Sequence, residues 1–220
     1  MSEWWTYTLS DFLLFSPRVY YRLLELHNHA LWPAHLLTIA AGVMIIYAII
    51  RPSIQLTRFV LAALGMIWIW VAFAFFWERY ATINWAAVYV APVFVLQGVM
   101  LLATAAFGPV TSGQRETRFI RLSAAALFAL ILFAYPLIAP TMDRPWSAAE
   151  VFGIAPDPTV LATLAALAVA PIPLRWLLLV IPLAWTTIAT FTLLTMEAPD
   201  VWIPPAFAIV AIIISLLRNK

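Results

Sequence analysis

The chain has 220 residues, of which 65% are hydrophobic and 10% are charged, and its formal net charge is +2 at pH 7. Soluble domains average roughly 45–50% apolar and about 25% charged residues, so this composition excludes an ordinary soluble domain. The small net charge, with no basic aromatic face, argues against nucleic acid as a partner, and the absence of cysteine excludes disulfides and thiolate metal sites.

The chain begins with an amphipathic segment that we predict to lie at the membrane surface. Ser16 and Pro17 have the pattern of a helix cap followed by a first helical residue, and "RVYYRLLELHNHALW" then mixes leucines with charged side chains. We assign residues 1–30 to this N-terminal interfacial segment and residues 31–217 to a single all-α transmembrane bundle.

Seven apolar runs follow, each near the roughly 20 residues that cross a bilayer. They cover about residues 31–50, 58–77, 85–107, 119–140, 158–174, 176–196 and 201–217. The fifth run is the shortest, and Pro171 and Pro173 break its last turn. This run therefore either crosses the membrane or forms a half-helix.

The positions of Arg and Lys predict the orientation, because short cytoplasmic loops retain basic residues. With seven spans, one side collects eight of them: Arg51, Arg58, Arg115, Arg118, Arg121, Arg175, Arg218 and Lys220. The other side collects four: Arg18, Arg22, Arg79 and Arg144. We expect the N-terminus outside and the C-terminus in the cytoplasm of a bacterial cell. Most Trp and Tyr residues then lie near the outer face, as bilayer anchors or as a surface for a partner.

All three histidines lie in "HNHALWPAH", at the start of the first run. His27 and His29 point about 200° apart on an α-helix, so they chelate a metal together only on extended backbone. Pro33 marks a new helix start, which leaves His35 inside the first span and close enough to hydrocarbon to favour neutral imidazole. We predict packing and hydrogen bonding here, with Trp32 and His35 as candidate binding residues. Metal at His27, His29 or His35, a haem or chlorophyll-type pigment at His35, and pH sensing are the alternatives.

The polar side chains inside the runs are few, and every charged residue falls at the end of a run or in a loop. Gln97 is placed to hydrogen-bond across a helix pair. Thr186 and Thr190 share one helix face, where they can bond a neighbouring helix or their own preceding carbonyls. Contact with a bound molecule is the alternative role of all three residues.

The longest predicted loop carries acidic residues that have a structural interpretation. Asp157 precedes Pro158 in the pattern of a helix cap, so we expect its carboxylate to accept backbone N–H bonds. Asp143, Arg144 and Glu150 fit a weak ion pair within the loop.

Five short stretches are distributed along nearly the whole chain: "ALWPAH", "FVLQG", "YPLIAP", "FGIAPDPT" and "LLLVIPLAW". Together they resemble an uncharacterised family of small bacterial membrane proteins with about seven hydrophobic segments. That family often has Cys where this chain has Asp157 and Gln where it has His35, so the resemblance implies no fixed catalytic role at either position. It implies a fold and a topology, and it brings no assigned activity.

Two functions fit these observations. The first is a non-catalytic inner-membrane subunit, scaffold or small sensor, whose aromatic outer face contacts a membrane-protein partner or a second copy of the chain. The alternative is a permease or channel-like carrier of a small neutral or hydrophobic solute, because Pro92, Pro136 and Pro182 interrupt the runs and free backbone groups. We do not expect an enzyme, since no Ser/His/Asp arrangement is evident.

Labelling with an impermeant maleimide tests the orientation. In this cysteine-free chain, Ser2→Cys and Ser147→Cys should react in intact cells, because both positions are predicted to be outside. Ser112→Cys should react only after the membrane is opened, and its labelling in intact cells would contradict the topology.

Overall fold

A computed structural model describes residues 15–111 and 117–218, and all regular secondary structure in these ranges is helical. The all-α class predicted from the sequence is therefore confirmed. Residues 1–14 of the predicted interfacial segment, and the labelling positions Ser2 and Ser112, lie outside the described residues.

Within the described ranges the α-helices are α1 (Pro17–Leu31), α2 (Ala34–Ile50), α3 (Ile54–Val71), α4 (Ala87–Phe107), α5 (Arg118–Ala129), α6 (Ile138–Thr141), α7 (Pro156–Val169), α8 (Arg175–Thr195) and α9 (Ile203–Leu217). Two of them continue as π-helical segments, α3 into Ala72–Trp77 and α5 into Leu130–Ala134. Each of the seven predicted runs overlaps at least one of these helices.

Four helical stretches are long and apolar enough to cross a membrane: Ile54–Thr82, Ala87–Phe107, Arg118–Thr141 and Arg175–Thr195. The number rises to five if α1 and α2 count as one bent span. The other two apolar helices, α7 and α9, are shorter. Of the seven apolar runs predicted from the sequence, four or five are therefore long and apolar enough in the structure to count as membrane spans.

Helix α1 meets α2 at an angle of 89°. The Ser16 hydroxyl oxygen accepts a hydrogen bond from the Val19 N–H at 3.4 Å, and Pro17 is the first helical residue, as predicted. One face of α1 is buried and consists of Tyr20, Leu23, Leu24 and His27. The helix therefore has the amphipathic character that the sequence predicted for an interfacial segment.

The arginines are grouped at the two ends of the bundle. At one end, Arg58 donates to the carbonyls of Ala106 and Gly108 at 2.9 and 3.2 Å, and Arg218 donates to the carbonyl of Ala170. We call this the arginine-rich end; it also holds Arg51, Arg118, Arg121 and Arg175. The opposite end, which we call the α1 end, holds Arg18, Arg22, Arg79 and Arg144.

Helix α7 occupies the centre of the bundle, and all 14 of its residues are buried. It packs against α2, α3, α5, α8 and α9. At 1.5 Å per residue the helix is about 21 Å long, which is short of the roughly 30 Å of hydrocarbon in a bilayer. Because α7 ends beside Arg218 at the arginine-rich end, its N-terminus lies inside the bundle.

The chain fills the space ahead of α7 with a tight, buried turn. Phe152 and Ile154 are fully buried on either side of Gly153, whose φ of +77° favours glycine. A Cβ at this position would also lie 2.7 Å from Thr38. The Gly153 N–H donates to the Thr159 hydroxyl oxygen at 2.8 Å, which joins the turn to the first part of α7.

Helices α3 and α4 approach each other at a pair of glycines. A Cβ on Gly98 would lie 2.7 Å from the Gly65 carbonyl oxygen and 2.6 Å from Ile69 Cγ1. The neighbouring Gln97 is buried, and its amide donates to the Leu178 carbonyl on α8 at 2.9 Å. The predicted interhelical role of Gln97 is therefore found in the structure.

Gly98→Val should destabilise the bundle by about 1–3 kcal/mol, because the added methyl groups overfill the α3–α4 contact. Thermal or denaturant unfolding in detergent micelles measures this change. Ala103→Val is the matched control on the exposed face of the same helix, and it should change stability by less than about 0.5 kcal/mol. Equal effects of the two substitutions would contradict the close approach at Gly98.

Candidate functional site

Among the depressions at the α1 end of the bundle, two contain residues that bear on function. The first is an open groove of about 410 Å³ that we call the histidine cleft, and its lining includes Asn28, His29, Trp32, His35, Trp146 and Ser147. The second is a small cavity of about 20 Å³ that we call the acid cavity, and its lining includes Tyr20, Phe75, Tyr80, Asp157, Trp185 and Thr192. The sequence predicted the first through Trp32 and His35 and missed the second.

Asn28 holds the histidine cleft together. Its side-chain amide donates to the carbonyls of Ser147 and Ala149, both at 2.8 Å, and thereby fixes the loop of residues 142–155 to α1. Its carbonyl oxygen lies 3.2 Å from His35 Nε2. Because that oxygen can only accept, Nε2 carries the proton, and His35 Nδ1 is left as an acceptor. This Nδ1 is buried and has no hydrogen-bond partner among the described residues.

The other two histidines point in different directions, as the helical geometry predicted. His27 is buried, with its Nε2 at 3.1 Å from the Ile154 carbonyl and its ring edge-on to Phe75 at 5.3 Å. His29 is exposed and borders the cleft. In the described part of the chain, no three His, Cys, Asp or Glu side chains are grouped so that they could hold a metal ion.

The predicted capping role of Asp157 is wrong. The N-cap of α7 is Ala155, and Pro156 and Asp157 follow within the first turn. The Asp157 side chain instead accepts a hydrogen bond from the Trp185 indole N–H at 2.8 Å. Because α8 packs beside the start of α7, this tertiary partner replaces the local backbone donors that the sequence pattern favoured.

Glu150 is a half-buried acid of the loop at this end. Its Oε2 has no hydrogen-bond partner among the described residues. Burial, together with the negative charge of nearby Asp157, raises the pKa of Glu150 well above its ordinary value, although Arg144 acts in the opposite direction. The only hint in the sequence is the pair of acids flanking the apolar stretch "VFGIAP".

The predicted ion pair within the loop is also wrong. Arg144 pairs with Asp200, just before α9, at 2.5 Å between Nη2 and Oδ2. The Arg144 guanidinium also lies 4.4 Å from the centre of the Tyr21 ring, within the range of a cation–π contact. The pair is largely shielded from solvent, and it fastens the loop to the start of α9 and to α1.

Both π-helical segments end beside these acids. Ala72–Trp77 contributes Phe75 and Phe76 and leads into Tyr80, and Leu130–Ala134 leads into Tyr135. π-Helical turns are uncommon and occur frequently at functional sites. Their position at the α1 end supports this end of the bundle as the functional region.

The candidate binding residues in the middle of the bundle make hydrogen bonds to backbone carbonyls. The Thr186 hydroxyl donates to the Pro182 carbonyl at 2.9 Å, and the Thr190 hydroxyl donates to the Thr186 carbonyl at 2.7 Å. Both bonds lie within α8, which is the second of the two structural roles that the sequence left open. Gln97 bridges α4 and α8 away from both depressions.

The chain matches one sequence family. The model described as "Family of unknown function (DUF6064)" covers residues 17–220, so the chain belongs to this family. The resemblance to a family of unknown function is thus confirmed. No curated protein and no solved structure matches the chain.

The His27 imidazole makes stability depend on pH. Burial lowers its pKa from 6.5 to about 4, so between these values the unfolded chain binds a proton that the folded chain excludes. The stabilisation is complete above pH 6.5 and is lost as pH falls toward 4. At about 1.4 kcal/mol per pKa unit, the loss is on the order of 3 kcal/mol.

His27→Gln removes the titration and keeps a donor for the Ile154 carbonyl. The pH dependence of unfolding should therefore flatten between pH 6.5 and 4 in this variant relative to the wild type. His29→Gln, at an exposed position, should keep the wild-type dependence. Identical curves for the wild type and His27→Gln would show that His27 is not held neutral.

Proposed function

We propose that this member of the DUF6064 family is a non-catalytic component of a bacterial inner membrane that contacts a membrane-protein partner through the histidine cleft. The pair of tryptophans at the cleft carries the proposal. Trp32 and Trp146 come from different elements, line the same groove, and expose 65% and 63% of their surface. Tryptophan is enriched among the residues that dominate binding energy at protein interfaces.

The walls of the cleft are held in place before a partner binds. Asn28 bonds two carbonyls of the loop and the His35 ring, so α1, α2 and the loop form one hydrogen-bonded unit. A preorganised surface loses less conformational entropy when a partner binds. This rigidity favours a specific contact over tryptophans that serve only as bilayer anchors.

The chemistry of the cleft indicates what the partner presents. The two indole rings offer apolar surface, whereas His35 Nδ1 is buried and does not face a partner. A partner segment that inserts an apolar or aromatic side chain between the rings fits this surface.

We propose the orientation that the distribution of basic residues in the sequence predicts, with the arginine-rich end in the cytoplasm and the α1 end outside. The grouping of the arginines at two ends of the bundle supports it, because basic residues are retained on the cytoplasmic side. The histidine cleft then opens at the outer surface of the membrane, where an extracytoplasmic or membrane-embedded partner reaches it.

A permease for a small solute is the second candidate, and α7 favours it. Its N-terminus lies inside the bundle beside the acid cavity, and half-length helices border the solute sites of many transporters. Pro92 in α4 and Pro182 in α8 also interrupt long helices. Isolation of the chain as a monomer without a partner would favour this candidate.

Photo-crosslinking from native membranes tests the partner proposal. A photoreactive phenylalanine analogue at Trp146 should crosslink to one stoichiometric membrane protein or to a second copy of the chain. Trp32→Ala and Trp146→Ala should each lower the amount of this protein that co-purifies in mild detergent at least tenfold, because truncation of a tryptophan hot spot costs about 2 kcal/mol or more.

Trp85 is the matched control, since it is 65% exposed and does not line the cleft. The photoreactive residue at Trp85 should give no such crosslink, and Trp85→Ala should leave co-purification unchanged. Crosslinks to lipid alone at both positions would contradict the proposal and leave the tryptophans as bilayer anchors.

A further inference from the structure

The acid cavity shares no lining residue with the histidine cleft and has no role in the proposed partner contact. It lies between α1, the extension of α3, α7 and α8. We propose that this cavity is a binding site for an ammonium ion, held by the Asp157 carboxylate and by the surrounding aromatic rings.

The size of the cavity limits its occupant to one small molecule or ion. The cavity volume is about 20 Å³. A cavity needs roughly 10–15 Å³, measured in the same way, to hold one water molecule. Ammonium is close to water in size and fits, whereas a choline-like cation or a metabolite does not.

The Asp157 carboxylate needs a positive partner. Asp157 is buried, and the hydrogen bond from Trp185 engages only one of its oxygens. The ion pairs among the described residues, Arg22 with Glu25 and Arg144 with Asp200, do not include it. A buried charge without a counter-ion costs several kcal/mol, and a cation in the adjoining cavity would remove much of that cost.

The rest of the lining suits a cation that donates hydrogen bonds. Tyr20, Phe75 and Tyr80 form a continuous aromatic wall, with ring centres 6.1 Å apart for Tyr20 and Tyr80 and 5.6 Å apart for Phe75 and Tyr80. Aromatic faces attract cations. The Thr192 hydroxyl already donates to the Ile188 carbonyl, so its oxygen is available as an acceptor.

The same lining disfavours sodium and potassium. Alkali ions require several oxygen ligands arranged closely around them, but the side-chain oxygens of this lining, on Tyr20, Tyr80, Asp157 and Thr192, alternate with the rings and apolar side chains of the other lining residues. Ammonium instead directs its N–H groups to separate acceptors, including the carboxylate, hydroxyl oxygens and ring faces. The selectivity for ammonium over potassium therefore follows from hydrogen-bond donation, since the two ions are similar in radius.

Binding is measured on the purified full chain in detergent micelles. Thermal unfolding and titration calorimetry are compared in ammonium, potassium, sodium and N-methylglucamine chlorides at equal ionic strength and pH 7. We expect ammonium alone to raise the unfolding temperature and to give a saturable heat of binding. Equal shifts in all four salts, or equal binding of potassium, would overturn the proposal and leave a cavity that holds water.

Asp157→Asn is the decisive variant, because its amide oxygen can still accept from Trp185 while the charge is lost. It should lower ammonium affinity at least tenfold. Asp143→Asn removes an exposed carboxylate at the same end, at a φ of 56° that asparagine tolerates, and should leave affinity unchanged. Ammonium affinity retained in Asp157→Asn would overturn the proposal.

Phe75→Leu keeps the carboxylate and removes one ring face, so it should weaken ammonium binding severalfold and leave the carboxylate charge unchanged. This variant decides the matter if Asp157→Asn does not fold, because unchanged affinity in Phe75→Leu would overturn the aromatic part of the site. Neither result depends on a protein partner. The experiments can therefore refute the ammonium site without refuting the proposed contact at the histidine cleft, and they can refute the contact without refuting the site.

Discussion

The complete burial of α7 is the constraint on which the other features of the bundle depend. A helix with no exposed face must be surrounded by others, and α2, α3, α5, α8 and α9 supply this enclosure. The helix is also too short to cross a bilayer, so its N-terminus and its first-turn carboxylate are enclosed with it. Asp157 therefore lies where a charge requires a specific partner, and the Trp185 indole is the neighbour that the packing provides.

The two ends of the bundle satisfy their backbone groups in different ways. At the arginine-rich end, the side chains of Arg58 and Arg218 donate to the backbone carbonyls at the C-terminal ends of α4 and α7. These two side chains therefore have a structural role. At the α1 end, side chains bond one another and the loop, and Glu150 Oε2 and His35 Nδ1 remain without partners among the described residues. Buried polar atoms without a partner are uncommon in folded proteins, and here they occur at both ends, since Arg121 Nε and Ser215 Oγ at the arginine-rich end also lack one among the described residues.

The sequence predicted the features that depend on local pattern. Ser16 and Pro17 begin α1, and Gln97 bridges two helices, because capping and burial of an amide follow from the residues themselves. The roles of Asp157 and Arg144 were mispredicted because each has a local partner in the sequence and a different one in space. Trp185 and Asp200 reach them only after α8 and α9 pack, and the chain carries no periodic signal for such a pairing.

The loop of residues 142–155 joins the two depressions. Consecutive residues of α1 hold it at two places, since Asn28 bonds the carbonyls of Ser147 and Ala149 and His27 bonds that of Ile154. The first contact forms the floor of the histidine cleft, and the second lies next to Phe75, which borders the acid cavity. A displacement of α1 relative to this loop thus changes both depressions at once. This short pair of hydrogen-bonding residues is therefore the structural element that the two depressions share.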